Sequence, residues 1–249
     1  MPVITICFHV TFFSLLGDLR LWVYIDTKSS GNCVCVVVKP TMTALEMTQR
    51  VLAEKNLSPE PSLVLHEVVL GGALQRPIHH SEQVLDVTLK WGSWGEQDRR
   101  DNYLLLKRNI LYEEALKYAQ PPLSPLTIFG EAHYSDLKAK SYKKYNFSMS
   151  NARLTINKSE DIELASWPIE ELSWYLGSEA RRQPPFSFNV TFILRSENVI
   201  RSKDRPHFGR TISFDDRGFY IRWLASMLVA EHANDFKKRP DAPKLLLID

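Results

Sequence analysis

A proline-bearing seam divides this chain into two blocks that must each find their own core. Between Tyr112 and Pro125, a short run of mixed acids and bases leads into Pro121, Pro122 and Pro125. Each proline lacks the backbone donor that would continue a helix or a ladder. Apolar sequence fills both sides, from about Gly17 to Arg108 and from about Leu126 to Phe236. Domains commonly run about 100–200 residues, so a chain of 249 residues accommodates two modest ones. The expected organisation is an apolar extension over 1–16, a first domain over 17–108, a linker over 109–125, a second domain over 126–236 and a basic, proline-bearing tail over 237–249.

In the first block, Leu19 to Ile25 is rich in strand formers, Thr27 to Asn32 reads as a turn, and Cys33 to Lys39 is a second strand. Together they predict an antiparallel hairpin. Thr43-Ala44-Leu45-Glu46 has the spacing of a capping box, with the threonine hydroxyl on one side and the glutamate reaching back. Helical spacing then continues through Leu45, Thr48, Val51 and Leu52, and stops near Asn56. A strand over Leu63 to Val69, a Gly71-Gly72 turn, an extended segment Ala73 to His80, a short helix from about Ser81 to Trp91 and a strand Tyr103 to Lys107 complete the block. The order strand-strand-helix-strand-strand-helix-strand predicts a β-grasp roll, one mixed sheet on one main helix.

The second block reads as seven short strands: Thr127 to Tyr134, Tyr142 to Met149, Arg153 to Asn157, Ile162 to Ala165, Ser173 to Leu176, Phe186 to Leu194 and Arg210 to Phe214. Asp215-Asp216-Arg217-Gly218 then opens a helix, with acids at its positive end. Along it Phe219, Trp223, Met227 and Ala230 recur every three or four residues, and Leu224 and Leu228 widen the stripe. Seven strands and one terminal helix predict a pleckstrin-homology-like barrel with its open end plugged by the helix. The expected class is therefore α+β: a ubiquitin-like β-grasp domain followed by a pleckstrin-homology-like β-barrel with a C-terminal capping helix.

Bulk charge narrows the function. A formal net charge of +2, from 31 basic and 29 acidic side chains, is not the basic excess of a nucleic-acid binder. Three cysteines, Cys7, Cys33 and Cys35, make no disulfide framework, and two further zinc ligands at suitable spacing are missing. His79-His80 are adjacent on a segment read as extended, which points their rings apart and argues against a shared metal. No phosphate-binding Gly-rich loop, nucleophile elbow or His-Glu-x-x-His helix occurs. Neither a catalytic residue, a metal nor a cofactor is expected.

Leu65-His66-Glu67-Val68-Val69, Gly71-Gly72 and Leu74-Gln75-Arg76-Pro77-Ile78-His79-His80 resemble Ras-associating domains. Val84-Leu85, Leu89-Lys90-Trp91 and Asn102 to Lys107 extend the likeness. In the second block Tyr175-Leu176-Gly177, Arg181-Arg182, Pro184-Pro185, Phe188-Asn189-Val190 and Trp223 resemble the last PH domain of one family, the Arf-GAP with Rho-GAP, ankyrin-repeat and PH-domain proteins. In that family a Ras-associating domain stands directly before this PH domain. The zinc cluster of an Arf-GAP domain, ankyrin repeats and room for a Rho-GAP domain are absent from the 249 residues.

The resemblance implies a non-catalytic signalling region. A GTP-bound Ras-family GTPase of Rap type would bind the first domain, and an anionic or phosphoinositide membrane or a protein the second, in the cytoplasm at the plasma membrane, the chain being part or a relative of an Arf/Rho GTPase-activating regulator. The alternative is a protein-interaction platform with neither ligand. Ras-associating domains dock by pairing their second strand with a strand of the GTPase. The expected contacts here are Val36 and Val38 on that strand, with Arg20, Lys28, Lys39 and Arg50 as the flanking cations. For the second domain the expected lipid contacts are Lys138, Lys140, Lys143 and Lys144. Arg181 and Arg182 either add to that patch or are simply solvated. The arginine two residues beyond a lysine, seen on the second strand of tight inositol-phosphate binders, is missing: Tyr145-Asn146-Phe147 follow Lys144.

Overall fold

A computed structural model describes residues 19–60, 62–118, 127–139, 141–159 and 162–231. Cys7, Lys140, the apolar extension and the tail over 237–249 lie outside these residues. The chain divides into two units that meet between Arg108 and Asn109.

The first unit opens with the expected hairpin, β1 (Arg20–Ile25) and β2 (Cys33–Val37), antiparallel with Arg20 opposite Val37 and Tyr24 opposite Cys33. Helix α1 (Ala44–Glu54) follows. Its capping box is present in full: Glu46 N–H donates to Thr43 Oγ1 at 3.2 Å, and Thr43 N–H donates to Glu46 Oε2 at 3.0 Å. The helix ends at Glu54, with Lys55 as its cap and Asn56 just beyond it at a left-handed φ of 51°. Then come β3 (Leu63–Val69), β4 (Leu74–Pro77), α2 (Val84–Gly92), the short α3 (Glu96–Arg99) and β5 (Tyr103–Arg108). The sheet order is β2-β1-β5-β3-β4, with β1 and β5 parallel. This is the β-grasp order, and β2 lies at one end of it.

Met47, Thr48, Val51 and Leu52 of α1 are buried, as are Leu21, Val23, Ile25, Val34 and Val36 of the hairpin. Period-2 alternation puts these hairpin residues on one face of the sheet, toward the helix. The turn after β3 carries three left-handed residues in a row, Leu70, Gly71 and Gly72, at φ 53°, 66° and 102°. Buried Asn102 pins it, accepting from Leu70 N–H at 3.1 Å and donating to the Asp98 carbonyl at 3.1 Å.

Several residues that carry the family resemblance turn out to be structural. Glu67 and Arg76 face each other across β3 and β4. Arg76 Nε donates to Glu67 Oε2 at 2.6 Å, and Trp91 Nε1 donates to Glu67 Oε1 at 2.7 Å. Arg76 also forks onto Glu82, at 3.0 and 2.8 Å. A buried carboxylate held this way ties the β3–β4 hairpin to α2. His79 and His80 fall beyond the end of β4, so the extended geometry that would part their rings is lost; the ring centroids are 4.1 Å apart. Among the described residues there is no metal-holding group of three or more His, Cys, Asp or Glu.

The second unit begins earlier than the seam suggests. Within the expected linker, Ile110–Leu116 form α4 and belong to this unit. Glu114 accepts both terminal nitrogens of Arg217, at 2.6 and 2.5 Å, and buried Ala115 joins the barrel core. The strands are β6 (Ile128–Ser135), β7 (Lys143–Ser150), β8 (Arg153–Ser159), β9 (Ile162–Pro168), β10 (Leu172–Gly177), β11 (Phe188–Leu194) and β12 (Arg210–Phe214). Consecutive strands pair antiparallel from β6 to β9 and from β10 to β12, and β12 pairs with β6.

Helix α5 (Arg217–Glu231) closes the second unit, with Asp216 Oδ1 accepting from Phe219 N–H at 2.6 Å. The stripe expected along it is too narrow: Tyr220 to Val229 are buried except Arg222, since α4 packs on the helix as well as the barrel. Trp223 is fully buried, with its ring against Phe147, Phe214 and Phe219.

Candidate functional site

Among the described residues, strand β2 pairs with β1 alone and ends the sheet of the first unit. The direction of its free main-chain groups follows from two flanking hydrogen bonds. Val38 N–H donates to the Leu19 carbonyl at 2.8 Å, and Ile25 N–H donates to the Asn32 carbonyl at 2.9 Å. In an antiparallel ladder hydrogen-bonded pairs alternate with non-bonded ones. Asn32, Val34, Val36 and Val38 therefore spend their groups on β1, and Cys33, Cys35 and Val37 aim theirs away from it.

This corrects the expectation for Val36 and Val38. Their side chains are buried on the helix side of the sheet, and their peptide groups are committed to β1. An added strand would instead meet Cys33, Cys35 and Val37. The cysteine and Val37 side chains lie on the outer face, where both thiols are half-buried and Val37 is exposed.

The four expected cations do not act together. Arg20 is exposed and directly opposite Val37. Arg50, from α1, donates through Nη1 to the Val37 carbonyl at 3.2 Å. Lys39 lies two residues beyond Val37, and with Thr41, Met42, Glu46, Gln49, Arg50 and Ala53 it lines a cavity of about 430 Å³. Arg20, Lys39 and Arg50 thus gather at one end of the edge. Lys28 sits at the other end, in the β1–β2 turn. It is drawn toward β5, 3.6 Å from Asp101 and 4.7 Å from the centre of the Tyr103 ring.

The basic residues of the second unit also separate. Lys138 is exposed in a turn where Asp136 Oδ1 accepts from the N–H groups of Lys138 and Ala139, at 2.8 and 2.7 Å. Lys143 is exposed at the start of β7. Lys144 is ion-paired with Glu131 on the neighbouring strand; that hydrogen bond holds its ammonium above the usual lysine range. Arg182 is neither a patch residue nor solvated. It is buried, and donates to the Ser135 and Asp136 carbonyls and to Glu179.

Glu179 is the centre of a loop clamp that sequence reading missed. Its buried carboxylate meets Arg182 Nε at 3.1 Å, Arg201 Nη1 at 2.9 Å and His207 Nδ1 at 2.8 Å, and it accepts from Phe208 N–H. The β10–β11 and β11–β12 connections are joined here to the end of β6. A lone Glu in a turn-rich stretch gives no periodic signal, so only the packed loops reveal it.

A sequence model of the Ras association (RalGDS/AF-6) domain matches residues 17–110. Over 89% of its length the chain is 25% identical to mouse Arf-GAP with Rho-GAP domain, ANK repeat and PH domain-containing protein 2. Over 88% it is 27% identical to the human protein 3 of the same name series. The chain spans 13% and 14% of the length of these two relatives. Among solved structures, the coiled-coil, RA and PH domains of Lamellipodin superpose with a TM-score of 0.71 at 13% identity, covering 93% of this chain and 92% of that one. That likeness shows the fold. No described helix is long and apolar enough to cross a membrane.

Proposed function

Given a chain that pairs a Ras association domain with a PH-like barrel, as in part of the Arf-GAP with Rho-GAP, ANK repeat and PH domain-containing proteins, we propose that it recognises a GTP-loaded Ras-family GTPase of Rap type by strand addition at β2. One observation carries this reading: the outward main-chain groups of Cys33, Cys35 and Val37 form an edge whose Val37 end is straddled by Arg20, Lys39 and Arg50. Main-chain pairing supplies affinity in such docking. Basic side chains on both sides of one edge steer an acidic partner strand and sharpen its selection. The two units are assigned recognition and not catalysis.

The barrel is the second contact, directed at an anionic membrane of the cytoplasm, the plasma membrane above all. Lys138 and Lys143 are its free cations among the described members of the expected patch, and Lys140 adjoins them in sequence. A lysine near an anionic surface contributes about 1 kcal/mol. The pairing of Lys144 with Glu131 weakens that patch and favours a modest, headgroup-tolerant contact or a protein partner. Two weak contacts on one surface would act together by effective concentration.

Titration of the chain against Rap and Ras, each loaded with GTP and with GDP, tests the first contact. Preference for the GTP form is expected; equal or absent binding to both forms rejects it. Co-sedimentation with vesicles of phosphatidylcholine, with and without phosphatidylserine or phosphoinositide, tests the second. The expected result is partitioning that falls when Lys138 and Lys143 become alanine, and unchanged partitioning rejects the patch.

A further inference from the structure

The outer face of the sheet beside β2 carries a side chain that the docking reading leaves unused. Trp22 points away from the α1 side, as the alternation of buried Leu21 and Val23 requires, and is 48% exposed. An indole left in water is a large apolar surface with a polar N–H, the composition favoured at the centre of protein contacts. Trp22 stands directly opposite Cys35 in a non-hydrogen-bonded pair, the closer of the two antiparallel pair types. Cys35 is small, so only a short side chain stands between Trp22 and the free edge in this row.

A strand added to β2 would extend three rows of side chains across this face. One row runs Arg20, Val37 and a partner residue. The next runs Trp22, Cys35 and the partner residue two positions along. The third runs Tyr24, Cys33 and a further partner residue. All lie on one face because the side-chain period of a strand is two. In the first row Arg20 is exposed on this face, and Arg50, reaching from the α1 side, already holds the Val37 carbonyl, so one cation stands on each side of the sheet at this position. The second row offers only apolar surface.

Resting on the strand-addition reading, we propose that Trp22 is the anchor of this interface. It selects a partner strand that carries a carboxylate opposite Val37 and, two residues away on the same face, an apolar or aromatic side chain opposite Cys35. Charge complementarity sets the first position and burial of the indole the second. A second copy of this chain is a poor occupant, because its own β2 edge presents the same three cations.

The experiment is calorimetric titration of the whole chain with GTP-loaded Rap and Ras, comparing wild type with Trp22→Ala, Trp22→Phe and Leu89→Ala. Leu89 is an exposed apolar residue on α2 and controls for the loss of exposed apolar surface as such. For a residue at the centre of an interface, Trp22→Ala should weaken binding about 10-fold or more, with Trp22→Phe largely retaining it and Leu89→Ala neutral. The thermal midpoint should barely move, since the indole is half in water. If wild type binds the GTP form and Trp22→Ala binds within twofold of it, the anchor is overturned while strand addition stands. If wild type shows no GTP-dependent binding, the docking reading falls, and the anchor with it.

Discussion

Arg50 on α1 reaches across to the edge of the sheet and donates a hydrogen bond to the Val37 carbonyl, 3.2 Å away. One of the outward acceptors of β2 is thus already in use, and the side chain that occupies it is a cation. An incoming strand gains its remaining pairs at Cys33, Cys35 and the Val37 N–H, and meets Arg50 as a fixed positive charge.

Charge reversal at this end of the edge should therefore act on association more than on folding. Arg20→Glu combined with Lys39→Glu is expected to slow association with a GTP-loaded GTPase and flatten its dependence on salt. The same reversal of Lys28 should do much less, because Lys28 is engaged by Asp101 and Tyr103 at the far end. Stopped-flow association rates across a salt series check both outcomes. Equal effects of the two changes would move the interface away from Val37.

Arg76 is expected to be a stability residue. Replacing it with alanine leaves the Glu67 carboxylate buried without the guanidinium that faces it. Breaking a buried pair from one side typically costs about 3–5 kcal/mol. Arg76→Ala should lower the denaturant midpoint of the first unit sharply. The double change Glu67→Gln with Arg76→Met should recover part of the loss. Urea unfolding of the three proteins measures the difference, and a midpoint shift below that of an ordinary surface substitution would contradict it.

His66 ties stability to pH. Burial first, and the nearby Lys107 charge second, push its imidazole down to about 3, while the backbone carbonyls of Val64 and Leu105 oppose that shift. The folded state thus keeps His66 neutral where the unfolded chain, near the ordinary value of about 6.5, takes up a proton. The unfolded state binds more protons between these two values, so stability falls as pH falls from about 6.5 toward 3, and above about 6.5 the group contributes no slope. The limiting slope is about 1.4 kcal/mol per pH unit for one proton. Unfolding followed from pH 7 to pH 4 should be flatter in His66→Gln than in wild type; parallel curves would refute the assignment.

Gly130 on β6 is a packing requirement. A Cβ placed there would lie 2.1 Å from the tip of the Phe219 ring. That ring contacts Phe214 and Trp223, so an alanine must push it out of the aromatic cluster that plugs the barrel. Overpacking of this kind costs about 1–3 kcal/mol. Gly130→Ala should lower the thermal midpoint, and the loss should be smaller in a Phe219→Ala background. Additivity of the two changes would show that the ring and Gly130 do not oppose each other.

Element identity was legible along the chain because it rests on local chemistry. The Thr43–Glu46 capping box, the Asp216 cap, the valine-rich strands and the Gly71-Gly72 turn declare themselves within a few residues. That β2 would serve as a docking edge came from the Ras-associating resemblance, and its place at the end of the sheet from the strand order of the fold. Only the folded molecule decided which groups are available. Valine parity alone does not say that Val36 and Val38 face the helix, because both faces of β2 are apolar in sequence. Nor does spacing say that Lys28 turns to Asp101, that Lys144 turns to Glu131, or that Arg182 is buried beside Glu179. Apart from Glu179, the partners in these contacts lie 13 to 73 residues away, set by strand register and loop packing. A charge in a sequence states what a side chain can attract; tertiary geometry chooses which opposite charge or carbonyl it reaches, and so which cations remain to meet a partner.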